Sequence, residues 1–236
     1  EYGDSKQSDV VTFIESPTFL GIIGDLRNQS VLDLACGDGF YTRKFKALGA
    51  AHTVGVDISA EMIELANAQE RERPLSIDYE CADVANLPAL GEFDIVTAAF
   101  LLHYAKDEAE MQAMCDSIAA QLKPGGRFVA MSENPWQEPG RYTLYKQYGF
   151  VKTVAGPPDD GARITYLMAT GRRPFKFSVQ YFKAATYERT LRNAGFEDIH
   201  WHPLTLSEEG LQAKGATHWQ AYMDNPPVIG LSARRT

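Results

Sequence analysis

Three carboxylates each follow a short apolar run, and two glycines sit beside the first of them. Asp33 lies in Val31-Leu32-Asp33-Leu34-Ala35-Cys36-Gly37-Asp38-Gly39, Asp57 closes Val54-Gly55-Val56-Asp57, and Asp83 lies in Ala82-Asp83-Val84. Glycines in a strand-to-helix turn tolerate unusual backbone angles and let a ligand approach the main chain. A carboxylate twenty residues after Gly37, at the end of the next strand, is placed to accept both hydroxyls of a ribose. Asp83, after a third strand, is placed to accept from an adenine amino group. A dinucleotide fits less well. The fingerprint G-x-G-x-x-G needs a third glycine where Thr42 stands, and an acidic loop carrying Asp33 and Asp38 repels a pyrophosphate. A cationic ligand without phosphates, joining a sulfonium, an ammonium, a ribose and an adenine, suits this set.

A second group of residues has the chemistry of an acceptor site. The fourth strand pattern runs into Ala98-Ala99-Phe100-Leu101-Leu102-His103-Tyr104. The unperturbed pKa of His103, about 6.5, suits a general base near neutral pH, and the Tyr104 hydroxyl can orient a substrate. The stretch 134–183 is rich in rings, among them Trp136, Tyr142, Tyr145 and Tyr166, which suit a flat aromatic substrate. Arg163 is placed to pair with an acidic or carbonyl-rich group. For any single ring the alternative is plain core packing, and His103 and Tyr104 are equally explained by packing. His200, His202 and His218 make no ligand spacing with a carboxylate, so no catalytic metal is expected.

The elements that position these residues are legible from period. Strand-like runs at Ser30–Ala35, His52–Val56, Leu75–Cys81, Phe93–Ala99 and Arg127–Met131 alternate with helical patterns, with Lys123-Pro124-Gly125-Gly126 as a turn. The alternation predicts an α/β fold, a doubly wound and mostly parallel sheet, with ligands bound at the carboxyl ends of its strands. Two further strands, Arg163–Met168 and Phe175–Phe182, joined around Gly171, predict a small antiparallel cap. The expected division is residues 1–133 as cofactor-binding core, 134–183 as substrate cap and 184–236 as completion of the core sheet.

These motifs, in this order and spacing, resemble the core of class I S-adenosylmethionine-dependent methyltransferases across residues 31–131. The matching pieces include Phe93-Asp94-Ile95-Val96 and Leu122-Lys123-Pro124-Gly125-Gly126, while Phe40 stands where many members carry a further glycine. The resemblance implies a Rossmann-like seven-stranded sheet and S-adenosylmethionine as cofactor. It implies that Ala35, Gly37 and Gly39 pass the methionine part and that Asp33 helps hold its amino group. Ile58 and Met62 would flank the adenine, Val84 would add a backbone contact, and Phe100 would lie near the methionine moiety, with Tyr2 as a further aromatic candidate. The whole chain is also similar to small-molecule methyltransferases of the toxoflavin-biosynthesis kind, which N-methylate a fused azapteridine ring in secondary metabolism. That similarity rests on the Asp33–Phe40 stretch, the run ending in His103-Tyr104 and the tail Asn225-Pro226-Pro227-Val228-Ile229-Gly230.

Composition sets the outer limits. The chain has 236 residues, 44% hydrophobic and 23% charged, and a net charge of −8. No apolar run approaches the ~20 residues of a membrane span. The acidic balance and the lack of a basic run disfavour a nucleic-acid substrate. Three scattered cysteines suit a reducing, cytoplasmic setting. The expected activity is methyl transfer to a nitrogen or oxygen of a small aromatic or heteroaromatic metabolite. A nicotinamide-dependent oxidoreductase and a non-catalytic cofactor-binding module are the alternatives, and the oligomeric state is open.

Overall fold

A computed structural model describes residues 8–169 and 174–236. Its centre is a seven-stranded sheet in the order β3-β2-β1-β4-β5-β10-β9. The strands are β1 (Ser30–Leu34), β2 (His52–Asp57), β3 (Asp78–Cys81), β4 (Phe93–Ala99), β5 (Leu122–Glu133), β9 (Phe196–His202) and β10 (Val228–Arg235). The first five run parallel, and β10 is antiparallel to both β5 and β9. Strands β1 and β4 are buried along most of their length because both faces of a parallel sheet are covered. Strand order reverses between β1 and β4, which opens a crevice at their carboxyl ends.

The helices start where their side chains can cap them. Ser59 accepts from the Met62 N–H at 3.3 Å ahead of the helix Ala60–Glu72, and Asp107 accepts from the Glu110 N–H at 2.9 Å ahead of Glu108–Ala120.

Of the strands expected above, β3 and β5 depart by more than one residue. Strand β3 begins at Asp78 rather than Leu75, because the Leu75 and Ile77 N–H groups bond the Glu70 carboxylate at 2.5 and 3.4 Å instead of joining the ladder. The expected turn at 123–126 is a bulge inside β5. Register jumps from Phe93↔Leu122 to Ile95↔Arg127, and Gly125 takes φ +75° to absorb the extra residues.

The second sheet is antiparallel, in the order β6 (Phe150–Val154), β7 (Ala162–Met168) and β8 (Phe175–Tyr181). The turn expected around Gly171 lies outside the described residues. Period-2 alternation puts Phe150, Lys152, Ile164, Tyr166, Phe177 and Val179 on its inner face. A 3₁₀ segment, Pro139–Tyr148, leads into it. At the other end of the chain a π-helical turn, Val11–Glu15, continues into the helix Ser16–Ile23.

The apolar interior forms two groups. One joins β1, β2, β4 and β5 to the helices of one sheet face, through Leu32, Val96, Met111, Ile118 and Phe128. The other joins the N-terminal helix, the opposite sheet face and the small sheet, through Phe19, Ile95, Val129, Ile164, Trp219 and Tyr222. The small sheet therefore shares a core with the large one.

Candidate active site

Sharp backbone geometry marks the end of β1. Ala35, Gly37 and Gly39 take φ of +53°, +58° and +84°. A Cβ on Gly39 would lie 2.3 Å from the Tyr79 hydroxyl, so the loop passes its neighbour at glycine distance. Gly37 N–H donates to Asp57 Oδ2 at 2.8 Å, and Ser59 N–H donates to Asp57 Oδ1 at 2.9 Å. Asp57 thus ties the loop after β1 to the loop after β2. Asp33 is 1% exposed and accepts from Thr42 Oγ1 at 2.6 Å and Thr97 Oγ1 at 3.0 Å. Thr42, which breaks the dinucleotide fingerprint, is thus a hydrogen-bond donor to the buried carboxylate.

Beyond the second and third strands, Asp83 is exposed and accepts from the Ala85 N–H at 3.0 Å, starting the short turn Val84–Asn86. Val84 is buried and Met62 half-buried, whereas Ile58 stands 70% exposed beside Asp57. Phe100, just past β4, holds φ +70° and donates its N–H to the Met131 carbonyl at 2.9 Å. A strained, non-glycine backbone of this kind persists where the surrounding structure imposes it. An uncovered aliphatic face beside a carboxylate, a loop at glycine distance and a buried acid behind it match the nucleoside and amino-acid ends of a phosphate-free ligand. Tyr2 lies outside the described residues.

A cavity of about 280 Å³ adjoins this edge. Its floor includes Asp33, Ala35 and Phe100, its roof Phe150, Tyr166, Phe177 and Val179 of the small sheet, and its sides Val10 and Glu15 of the N-terminal helix and Tyr222. Tyr166 and Phe177 stack with centroids 4.9 Å apart and planes at 4°.

Its titratable groups differ in how they are held. Glu133, at the end of β5, is paired with the buried Lys152 ammonium and accepts from the Tyr166 hydroxyl at 2.7 Å. Lys152 also bonds the Gln137 side chain. Burial pushes the Lys152 ammonium down, opposed by its Glu133 partner. His103 is buried, and its Nδ1 accepts the Glu133 N–H at 3.2 Å. Burial, with the Lys152 charge second, drives the imidazole down to about 3. The expected near-neutral pKa of His103 is therefore corrected: the ring is neutral, with its proton assigned to Nε2 by the bond at Nδ1. Burial raises Glu15 to about 7, although a hydrogen bond from the Tyr222 hydroxyl at 2.9 Å works the other way.

The sequence-predicted acceptor residues separate. His103, Tyr104 and Tyr166 line the cavity together with Asp33, Ala35 and Phe100. Trp136 does not: it is 56% exposed and packs edge-on against Trp201 at 5.1 Å. Tyr142 lies behind the wall under the Lys152 ammonium, 4.6 Å from its ring centre. Tyr145 is a second-layer residue, stacked on Phe150 at 5.2 Å, with its hydroxyl bonded to the Asn225 carbonyl. Arg163 is exposed on the outer face of β7, because strand alternation turns it away from its neighbours Ile164 and Tyr166. Glu15, Glu133 and Lys152 were not reached by the sequence reading. The available signals were an acid one turn after Val10 and Val11 on an apolar helix, and a lysine in phase with Phe150 and Val154. Among the described residues no cluster of three or more metal-ligating side chains is present, and no helix is long and apolar enough to cross a membrane.

Residues 31–126 match the family model described as a methyltransferase domain. The ubiquinone biosynthesis O-methyltransferase of Coxiella burnetii is 30% identical over 181 residues, covering 76% of this chain and 70% of that protein. Among solved structures, an S-adenosylmethionine-dependent methyltransferase from Mesorhizobium loti superposes with a TM-score of 0.69 at 20% identity, over 98% of this chain and all of that one. The S-adenosylmethionine-bound amino pentose methyltransferase of Micromonospora echinaspora superposes with a TM-score of 0.57 at 18% identity, over 94% of this chain and 89% of that one.

Proposed function

Because the chain belongs to the class I S-adenosylmethionine-dependent methyltransferases, we propose that it methylates a nitrogen or oxygen of a small aromatic or heteroaromatic metabolite. Family membership replaces the nicotinamide-dependent reading. The cofactor supplies a methyl group on a sulfonium that is already a good leaving group. The chain's own task is then to align the acceptor, exclude water and manage its proton.

The observation that carries the acceptor class is the cavity itself. Its roof is aromatic, with Tyr166 and Phe177 stacked, and it opens on the loops after β1 and β4. Asp57 is the residue proposed to hold the ribose hydroxyls, Asp83 the adenine amine, Ile58 and Met62 the adenine faces, and Asp33, Ala35, Gly37, Gly39 and Phe100 the methionine end. In this reading residues 1–133 form the cofactor-binding core, 134–183 the substrate cap, and 184–236 complete the core sheet, with Glu15, His103 and Tyr222 reaching the acceptor cavity from the core segments. His103 positions rather than deprotonates, since its Nδ1 lone pair is already used by the Glu133 N–H. The name of the Coxiella relative favours oxygen as the accepting atom, while the toxoflavin-like pattern favours a ring nitrogen in a cytoplasmic biosynthetic enzyme. A net charge of −8 argues against a nucleic-acid substrate.

The test is release of S-adenosylhomocysteine from S-adenosylmethionine across an acceptor panel of catechols, fused nitrogen heterocycles, aliphatic amines and RNA. Turnover concentrated in the first two classes is expected. Faster turnover of an aliphatic amine or of RNA would reject the aromatic acceptor.

A further inference from the structure

We propose that Glu15 is the base that takes the acceptor's proton, with Tyr222 as its positioning residue; the assignment rests on the aromatic-acceptor reading above. The geometry is specific. The turn Val11–Glu15 is π-helical, closed by the Ser16 N–H on the Val11 carbonyl, so Val10 and Glu15, five apart, fall on one face, and both line the cavity. Single π-turns recur at functional sites because they re-aim one side chain. Next to it, Ser16 Oγ lies 3.0 Å from the hydroxyl of Tyr41, a cavity residue on the helix that begins after Gly39. The π-turn is therefore anchored to the element that follows the cofactor loop.

The other carboxylates and the imidazole facing the cavity are committed elsewhere. Asp33 takes the Thr42 and Thr97 hydroxyls. Glu133 is matched by Lys152 and by the Tyr166 hydroxyl. His103 spends its Nδ1 lone pair on a backbone N–H. Glu15 is the exception: Oε1 accepts from Tyr222, and among the described residues Oε2 has no hydrogen-bond partner. Its carboxyl changes charge close to neutral pH, which suits proton abstraction there.

The step balances without a further reagent. Glu15 Oε2 takes the proton of an acceptor O–H or N–H. The lone pair left on oxygen or nitrogen forms the bond to the methyl carbon, and the electron pair of the breaking C–S bond stays with sulfur. Glu15 then returns its proton to water when the site opens. An acceptor that is already anionic needs no base, which provides the discriminating measurement.

Wild type, Glu15→Gln and Tyr222→Phe would be assayed with catechol, 4-nitrocatechol and lumazine, and S-adenosylhomocysteine affinity measured by calorimetry for each. The expected result is a kcat for Glu15→Gln lower by about 10²-fold or more on an acceptor with a poorly acidic proton. Cofactor-product affinity should stay within about twofold, as the carboxyl acts on the acceptor. The deficit should shrink on 4-nitrocatechol, whose hydroxyl ionises readily. Tyr222→Phe should move the acid limb of the kcat profile to higher pH, because Glu15 loses the hydrogen bond that stabilises its charge. Equal kcat for Glu15→Gln and wild type on an acceptor with a poorly acidic proton that the wild type methylates would overturn the assignment alone. Wild-type turnover of none of the three would overturn the aromatic-acceptor reading and the Glu15 assignment with it.

Discussion

Asp57, proposed above to hold the ribose hydroxyls, also holds the fold. Its oxygens already hold the Gly37 and Ser59 N–H groups, so the carboxylate keeps two loops at fixed spacing, and the proposed ribose contact would come on top of that role. Asp57→Ala is expected to lower S-adenosylhomocysteine affinity by roughly 10-fold to 100-fold, the size of one to two hydrogen bonds to a charged group. Calorimetric titration of the folded variant checks this, and unchanged affinity would move the ribose elsewhere. Glu15 carries a different prediction, about stability. Its carboxyl is raised from 4.5 to about 7 in the fold, so the folded chain keeps a proton that the unfolded chain gives up. That contribution is full below about pH 4.5 and is lost as pH rises through 7, an amount on the order of 3 kcal/mol. Glu15→Gln should therefore melt near wild type at acid pH and above it at pH 8.5. A difference in Tm that does not grow with pH would show that Glu15 is not buried against its charge.

Sequence legibility divides along the elements. Asp33 near the end of β1, Asp57 closing β2 and Asp83 just past β3 stand out in the sequence because strand ends are where a parallel sheet binds ligands. The core elements were readable because their period is unambiguous. Glu15 was not, since a π-turn shifts the face of a helix by a residue that no 3.6-residue period anticipates. Nor was the outward turn of Arg163, which depends on the strand's phase and not on its existence: with Ile164 and Tyr166 inward, Arg163 is committed to solvent. Lys152 shares the inward phase and brings its charge into the joint between the two sheets, where it meets Glu133 of β5. Removing one member of such a pair strands the other, whereas removing both does not. Lys152→Met is accordingly expected to cost about 3–5 kcal/mol. Lys152→Met combined with Glu133→Gln should cost clearly less than the sum of the single changes. Denaturant titration of the four proteins measures the coupling, and additive costs would mean that the pair does not act as a unit.

At the scale of the whole molecule, the question is whether the small sheet is a lid that opens alone or part of one body. The second apolar group runs without a break from Phe19 through Val129 to Ile164 and Tyr222, and the Glu133–Lys152 pair crosses the same joint. Local opening is favoured where few buried contacts cross a boundary, and here many do. The chain should therefore melt in a single transition, with calorimetric and van't Hoff enthalpies in agreement. The cofactor product touches mainly the loops after β1 to β4 in the proposed arrangement, so its effect tests the same coupling from the other side. At a concentration of about 100 times Kd it should add about 2.7 kcal/mol, a rise of roughly 5–10 °C in Tm for a chain of this size. If the two sheets are one cooperative body, the whole transition moves by that amount. Should a second, earlier transition appear and stay in place when S-adenosylhomocysteine is added, the small sheet unfolds by itself, and the acceptor cavity is then assembled only after the cofactor site.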